Sequence, residues 1–393
     1  MVAARSQRSR SRRLRNWLAA PILLLSLAFV LGAASHSDVQ NSASSSGWAS
    51  NWHRTSGAPA GLTYVGSARC AECHRSIANI QAGTDMALAA TVPNQTYPGG
   101  TSALTFRDGP YELQMARQKD AVVYSVTDGK TTLSVPLLWS FGRGYAGQTY
   151  IFQHDGTYYE SRLSYYSDLK GLDITMGHSR QAPQSLLAAL GRPLASGEVS
   201  KCFSCHTSED LFESKLDLSR VHPGITCENC HGPGSEHVQA MKNPGATSLD
   251  TAAIFNPGSL APADLNDFCG TCHRSTHDVL AANIKDIRNI RFQPYRLENS
   301  PCYDPSDKRI TCIACHDPHA NLDRSAASYD AKCLACHANR GEVRTSMQTA
   351  PACPRQTKEC VTCHMTKRLL PGTHHEFTDH YIRVSQPGEP YPG

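Results

Sequence analysis

Aromatic residues make up only 7% of this 393-residue chain, apolar residues stop at 40%, and yet there are sixteen cysteines. That many thiols excludes an ordinary cytosolic protein, so something must hold them. Acidic residues are absent from the first 34 positions, which carry Arg5, Arg8, Arg10, Arg12, Arg13 and Arg15 and then an apolar run from Trp17 to Ala34. Basic, then apolar, then small at Gly32 and Ala34 is the order of an export signal, and the Ser-rich stretch from Asn41 to Gly47 reads as a flexible lead-in. No cysteine lies near Ala34 to carry a lipid. The apolar run approaches the roughly 20 residues that span a bilayer, so an uncleaved membrane anchor stands as the alternative to cleavage near Ala34.

A basic excess is also missing once the leader is set aside. The six leading arginines take the formal charge from +4 to −2, which leaves no footprint for nucleic acid. There is no G-x-G-x-x-G and no following Lys-Ser/Thr, so Gly142-Arg143-Gly144 beside Trp139 reads as a loop and not as a phosphate cradle.

The chain does have seven C-x-x-C-H pentapeptides: Cys70/Cys73/His74, Cys202/Cys205/His206, Cys227/Cys230/His231, Cys269/Cys272/His273, Cys312/Cys315/His316, Cys333/Cys336/His337 and Cys360/Cys363/His364. Two thiols three positions apart can each add to a vinyl group of one porphyrin, and the adjacent His then reaches the iron as proximal ligand. A single C-x-x-C is equally a zinc site, a redox dithiol or part of a disulfide framework. Seven copies with His in the same place favour seven covalently bound haem c groups and their iron. An export signal agrees, since attachment takes place beyond the membrane.

Six of the motifs crowd between Cys202 and His364. So little polypeptide per motif cannot build a conventional core, and the porphyrins would themselves be the interior, wrapped by short helices and loops. Between His74 and Cys202 the pattern changes. The Asp-Gly pairs Asp108/Gly109, Asp128/Gly129 and Asp155/Gly156 separate alternating runs from Tyr111 to Arg117, Ala121 to Thr127, Thr131 to Leu138, Gln148 to His154 and Thr157 to Ser164. Asp-Gly between such runs signals hairpins, and about five antiparallel strands are expected. The fold expected is therefore a mainly α and irregular multihaem cytochrome c fold with an inserted antiparallel β-module. Its divisions are 1–34 signal peptide, 35–60 linker, 61–90 first haem-binding segment, 91–175 β-rich module and 176–393 six-haem domain.

Three stretches carry a family resemblance. They are Tyr64-Val65-Gly66-Ser67 leading into Cys70; His222-Pro223-Gly224-Ile225-Thr226-Cys227 with Cys230-His231-Gly232-Pro233-Gly234 and His237; and Cys312 to His319 with Cys360 to Met365 and Phe377-Thr378-Asp379-His380. From Tyr64 onward the chain resembles the multihaem cytochromes related to the tetrahaem electron carrier of ammonia oxidation, hydroxylamine oxidoreductase and cytochrome c nitrite reductase. Nitrite reductase would call for Lys in place of one proximal His, whereas all seven motifs here end in His.

An electron-transferring haem needs a second axial ligand, and eleven His lie outside the motifs. Position and the resemblance together select His178, His222, His237, His319, one of His374 and His375, and His380. Met86 is weighed for the first haem, on a segment from Ala71 to Ala90 that reads as helical; plain packing is the equal alternative. Cys302 and Cys353 are left over and are expected to pair as a disulfide, the alternative being a free thiol or iron ligand.

The expected function is a periplasmic heptahaem electron carrier between redox partners: a quinol-oxidising donor and a terminal reductase, outer-surface protein or other cytochrome. The alternatives are a reductase or oxidase of a small nitrogen or sulfur compound at a five-coordinate haem, and self-association into a conductive filament.

Overall fold

The structure is a computed structural model that describes residues 58–208, 211–212, 215–243, 245, 253–337, 353, 357–386 and 388–392. The expected signal segment and most of the linker lie outside them. Among the described residues no helix is long and apolar enough to cross a membrane.

The largest element is a nine-stranded, wholly antiparallel sheet: β1 (Ala90–Thr91), β2 (Leu104–Asp108), β3 (Tyr111–Gln118), β4 (Ala121–Thr127), β5 (Thr132–Phe141), β6 (Gln148–His154), β7 (Thr157–Tyr166), β8 (Gly171–Ile174) and β9 (Gly191–Pro193). Strands β2 to β8 pair in chain order, β1 adds to β5 and β9 to β7. Strand β2 also lies against β8, which brings the two ends of the meander together. The expectation of a mainly α fold is thereby overturned, because the sheet is the dominant packed unit and the helices among the described residues are short, the longest of them being Pro262–His273. Hairpin chemistry drives this. Asp155 and Gly156 both take positive φ, 47° and 77°, the two-residue turn whose twist matches paired strands, and His154 sits opposite Thr157 across it.

Alternation then builds the core. Tyr111, Leu113 and Met115 of β3 and Val122, Tyr124 and Val126 of β4 alternate inward, so Leu113, Met115, Tyr124 and Val126 meet Tyr150, Phe152 and Leu163 in one cluster. Arg162 on β7 and Asp108 at the end of β2 form a buried ion pair inside the sheet unit.

A second cluster joins Ala90, Phe141 and Ile151 of the sheet to Leu194, Val199 and Phe203. Val199 and Phe203 belong to the helix Ser196–His206, the one that carries Cys202, Cys205 and His206. Phe203 packs edge-on to Trp139 and Phe141 at 5.3 and 5.2 Å. The sheet thus fixes where that motif stands. The remaining motifs sit on helical turns at or near Ser67–Ala71, Glu228–His231, Pro262–His273, Cys312–Cys315, Asp330–His337 and Cys360–His364. Residues i, i+3 and i+4 share one face of such a turn, so each Cys, Cys and His point the same way. The helical reading from Ala71 to Ala90 is shorter in the structure, where the helix Arg75–Gln81 gives way to turns.

Candidate haem-binding site

All seven motifs line a single continuous cavity of about 3940 Å³. Its walls come from the motif helices, from the sheet face around Phe141, Arg143, Tyr145 and Ile151, and from the C-terminal hairpin of Lys367–Leu369 and Glu376–Thr378.

Haem fits this cavity on an independent measure. Two metal–nitrogen bonds of about 2.0 Å each would place the centroids of two facing imidazoles roughly 6.3 Å apart. The rings of His74 and His237 stand 6.3 Å apart, those of His231 and His319 6.1 Å, and those of His316 and His380 6.2 Å. Each pair joins a motif His to a His elsewhere in the chain. Metal ligation also requires neutral imidazole. Burial pushes His231, His237 and His316 below the usual histidine value and takes His380 down to about 4.

The far ring nitrogens are held as ligands require. Nδ1 of His206 lies 2.9 Å from the Ala89 carbonyl, that of His231 2.9 Å from Phe255, that of His364 3.0 Å from Arg383 and that of His380 3.1 Å from Thr378. A backbone acceptor on Nδ1 sets the tautomer that leaves Nε2 for iron. His237 instead keeps Nδ1 buried with no hydrogen-bond partner.

Other expected ligands are placed differently. His375 lines the cavity, and its Nδ1 is 2.6 Å from Asp168 Oδ2, a carboxylate–imidazole contact of the kind that orients a metal ligand. His374 takes positive φ, 57°, and its Nε2 lies 2.8 Å from Asp173, outside the cavity lining. His178 is likewise engaged, with Nε2 3.0 Å from Glu160, and His222 sits exposed opposite Ser208 in a short strand pair. Neither lines the cavity. Met86 does, but the ring facing His74 is His237. Cys302 and Cys353 both line it too, and Cys302 is close enough to Cys336, Cys315 and Cys333 for their charges to interact.

The motifs are neighbours in a definite order. The Cys70 and Cys227 thiols are near enough to shift each other's titration, as are Cys269 with Cys312 and Cys333 with Cys360. Cys230 interacts with Cys269, Cys315 with Cys333, and Cys205 Sγ is 3.8 Å from the Thr271 carbonyl. The row runs first, third, fourth, fifth, sixth, seventh, with the second motif against the fourth.

Close approach of backbone makes the row possible. A Cβ on Gly224, at φ 77°, would stand 1.8 Å from the Ala87 carbonyl oxygen, so only glycine lets the His222-to-Cys227 segment dock on the first haem segment, where Ile225 N–H donates to Met86. Glu228, between the cysteines of the third motif, completes the docking. Its carboxylate is buried and accepts from the backbone N–H groups of Val65, Gly66 and Gly234 at 2.9, 2.8 and 2.8 Å. Sequence reasoning passed over this residue, and an acid inside a C-x-x-C was the available signal. Glu228→Ala should lower stability by about 3 kcal/mol, since it orphans buried donors to a charged acceptor, with the loss read from the denaturant midpoint of the haem-loaded protein.

Comparison with known proteins agrees with the site. A family model described as cytochrome c554 and c-prime matches residues 176–232, the stretch holding the second and third motifs. Multiheme cytochrome MtrA of Shewanella baltica (strain OS185) is 25% identical over 217 residues, 48% of this chain and 61% of the relative. The chain therefore spans less than two thirds of that relative's length. Among solved structures, outer cell wall cytochrome OcwA superposes with a TM-score of 0.46 at 14% identity, over 82% of this chain and 80% of its own. In the stretches that match, the chain is similar to multihaem c-type cytochromes, and the matched motifs are among those that line the cavity.

Proposed function

We propose that the protein is a heptahaem electron-transfer cytochrome working outside the cytoplasm, in the periplasm, between redox partner proteins. The observation that carries this reading is the single cavity shared by all seven motifs. When bound, haem iron supplies a one-electron ferric–ferrous couple. The chain's own residues do the rest. The cysteine pairs would hold each haem covalently, the motif His would bind its iron, with a second His at the three sites where one faces it, and the sheet and hairpin would close the sides against water.

His237, His319 and His380 are the distal ligands of the first, third and fifth sites, and His375 is the member of the His374/His375 pair that reaches the cavity. Met86, His178 and His222 then serve packing or polar contacts. No disulfide joins Cys302 and Cys353 in the structure. The neighbour relations favour transfer along the row of sites, which a carrier linking two distant partners needs. With both axial positions filled an iron has no place for a small molecule, so the reductase or oxidase reading would need one open iron.

The test is mass spectrometry of the exported protein with an electron paramagnetic resonance spectrum of its oxidised form. Seven haem additions and only low-spin iron are expected. Fewer additions would break the count, and a high-spin signal would turn the reading toward an enzyme.

A further inference from the structure

The arginines of this protein fall into two kinds. Arg296 shows the first, because its guanidinium meets Asp379 through Nε at 2.9 Å and a second nitrogen at 2.9 Å, donates to the Pro392 carbonyl, and lies over Tyr381 and Tyr391. That charge is fully answered by protein. Arg291 is the second kind. It closes the 3-10 turn Ile287–Arg291, lines the haem cavity, and rests its guanidinium 5.7 Å from the Phe377 ring centroid. Among the described residues no carboxylate pairs with it.

The groups that act on Arg291 electrostatically are Tyr166 and a second cation, Arg274, and burial pushes its pKa down. Arg274 follows His273 directly and takes positive φ, 66°, so the chain reverses there and keeps this cation by the fourth motif. Two cations at one wall, one of them half-buried and without a carboxylate partner among the described residues, define a place for an anion. Arginine's planar fork matches a carboxylate.

We propose that Arg291, with Arg274 beside it, binds a propionate carboxylate of the porphyrin attached at Cys269 and Cys272. This rests on the cytochrome reading. It also assigns the pair an electronic role: a cation held against the propionate disfavours the extra positive charge of ferric iron and so holds that site's potential up.

The experiment is a haem-resolved redox titration of the full-length exported protein and its Arg291→Leu, Arg291→Gln and Arg291→Lys variants. In the Leu and Gln variants one haem's reduction equilibrium should fall at least tenfold, a drop of about 59 mV for one electron, with the other six unchanged. Lys, which keeps the charge, should titrate close to the unaltered protein. Should Leu fail to load haem, Gln and Lys still make the comparison. Seven unchanged potentials in the Gln variant would overturn the proposal, as would a Lys variant that falls as far as Gln. A saturable shift on adding inorganic phosphate to the unaltered protein would also overturn it, by giving the site to a free oxyanion. Lack of haem absorption in the unaltered protein is a different failure, that of the cytochrome reading itself.

Discussion

Replacing His380 by leucine should convert one haem from low-spin to high-spin in the oxidised protein. The imidazole of His380 faces His316 with centroids 6.2 Å apart, and its Nδ1 is engaged by the Thr378 carbonyl. Leucine fills similar volume without a donor atom, so packing persists while the sixth ligand is lost. Loss of an imidazole ligand also shifts that haem's potential, and the fifth site stands inside the row between the fourth and sixth, so transfer from end to end should slow. His374→Leu is the control. It lies beside His375 but its Nε2 belongs to Asp173, and its spectrum should match the unaltered protein. Electron paramagnetic resonance reads both, and a His380→Leu spectrum without high-spin iron would remove this ligand assignment.

The second large effect concerns stability. Arg296→Leu should lower it by about 3–5 kcal/mol, because it leaves the carboxylate of Asp379 without its cation in a site closed to solvent. The two side chains are only 2% and 0% exposed, which is what separates this pair from the surface pairs, such as Arg288 with Asp286, whose loss should be hardly measurable. The same pair anchors the segment that presents His380, since Ser300 Oγ donates to the His380 carbonyl and accepts from Ile382 N–H nearby. Destabilisation should therefore appear first as disturbed ligation at the fifth site. Replacing both partners, as Arg296→Met with Asp379→Leu, should recover much of the loss. Denaturant midpoints followed by haem absorption measure all three variants, and a single variant as stable as the unaltered protein would contradict the burial argument.

Much of the cofactor chemistry was legible in the residues because it is local. Cys, Cys and His at i, i+3 and i+4 meet on one helical turn whatever the rest of the chain does, so the attachment sites need no tertiary information. The longer strands were legible for the same reason, through two-residue alternation and Asp-Gly turns. The mainly α expectation failed because β1, β2, β8 and β9 are too short to show a clear period and become strands through pairing with β5, β3 and β7. Those additions turn a few hairpins into the main packed unit.

Long-range pairing was out of reach. Which His faces which motif depends on how segments far apart in the chain dock: Gly224 under Ala87, Glu228 on Val65 and Gly66. His374 and His375 are adjacent and chemically identical, and only the backbone turn at His374 sends one ring to Asp173 and the other to the cavity wall. Arg291 and Arg296 likewise look alike in the chain, yet Arg296 meets a carboxylate and Arg291, among the described residues, does not. Spacing along a chain specifies what a short segment can bond to, whereas the partner on the opposite side of a cavity is set by how the whole molecule packs.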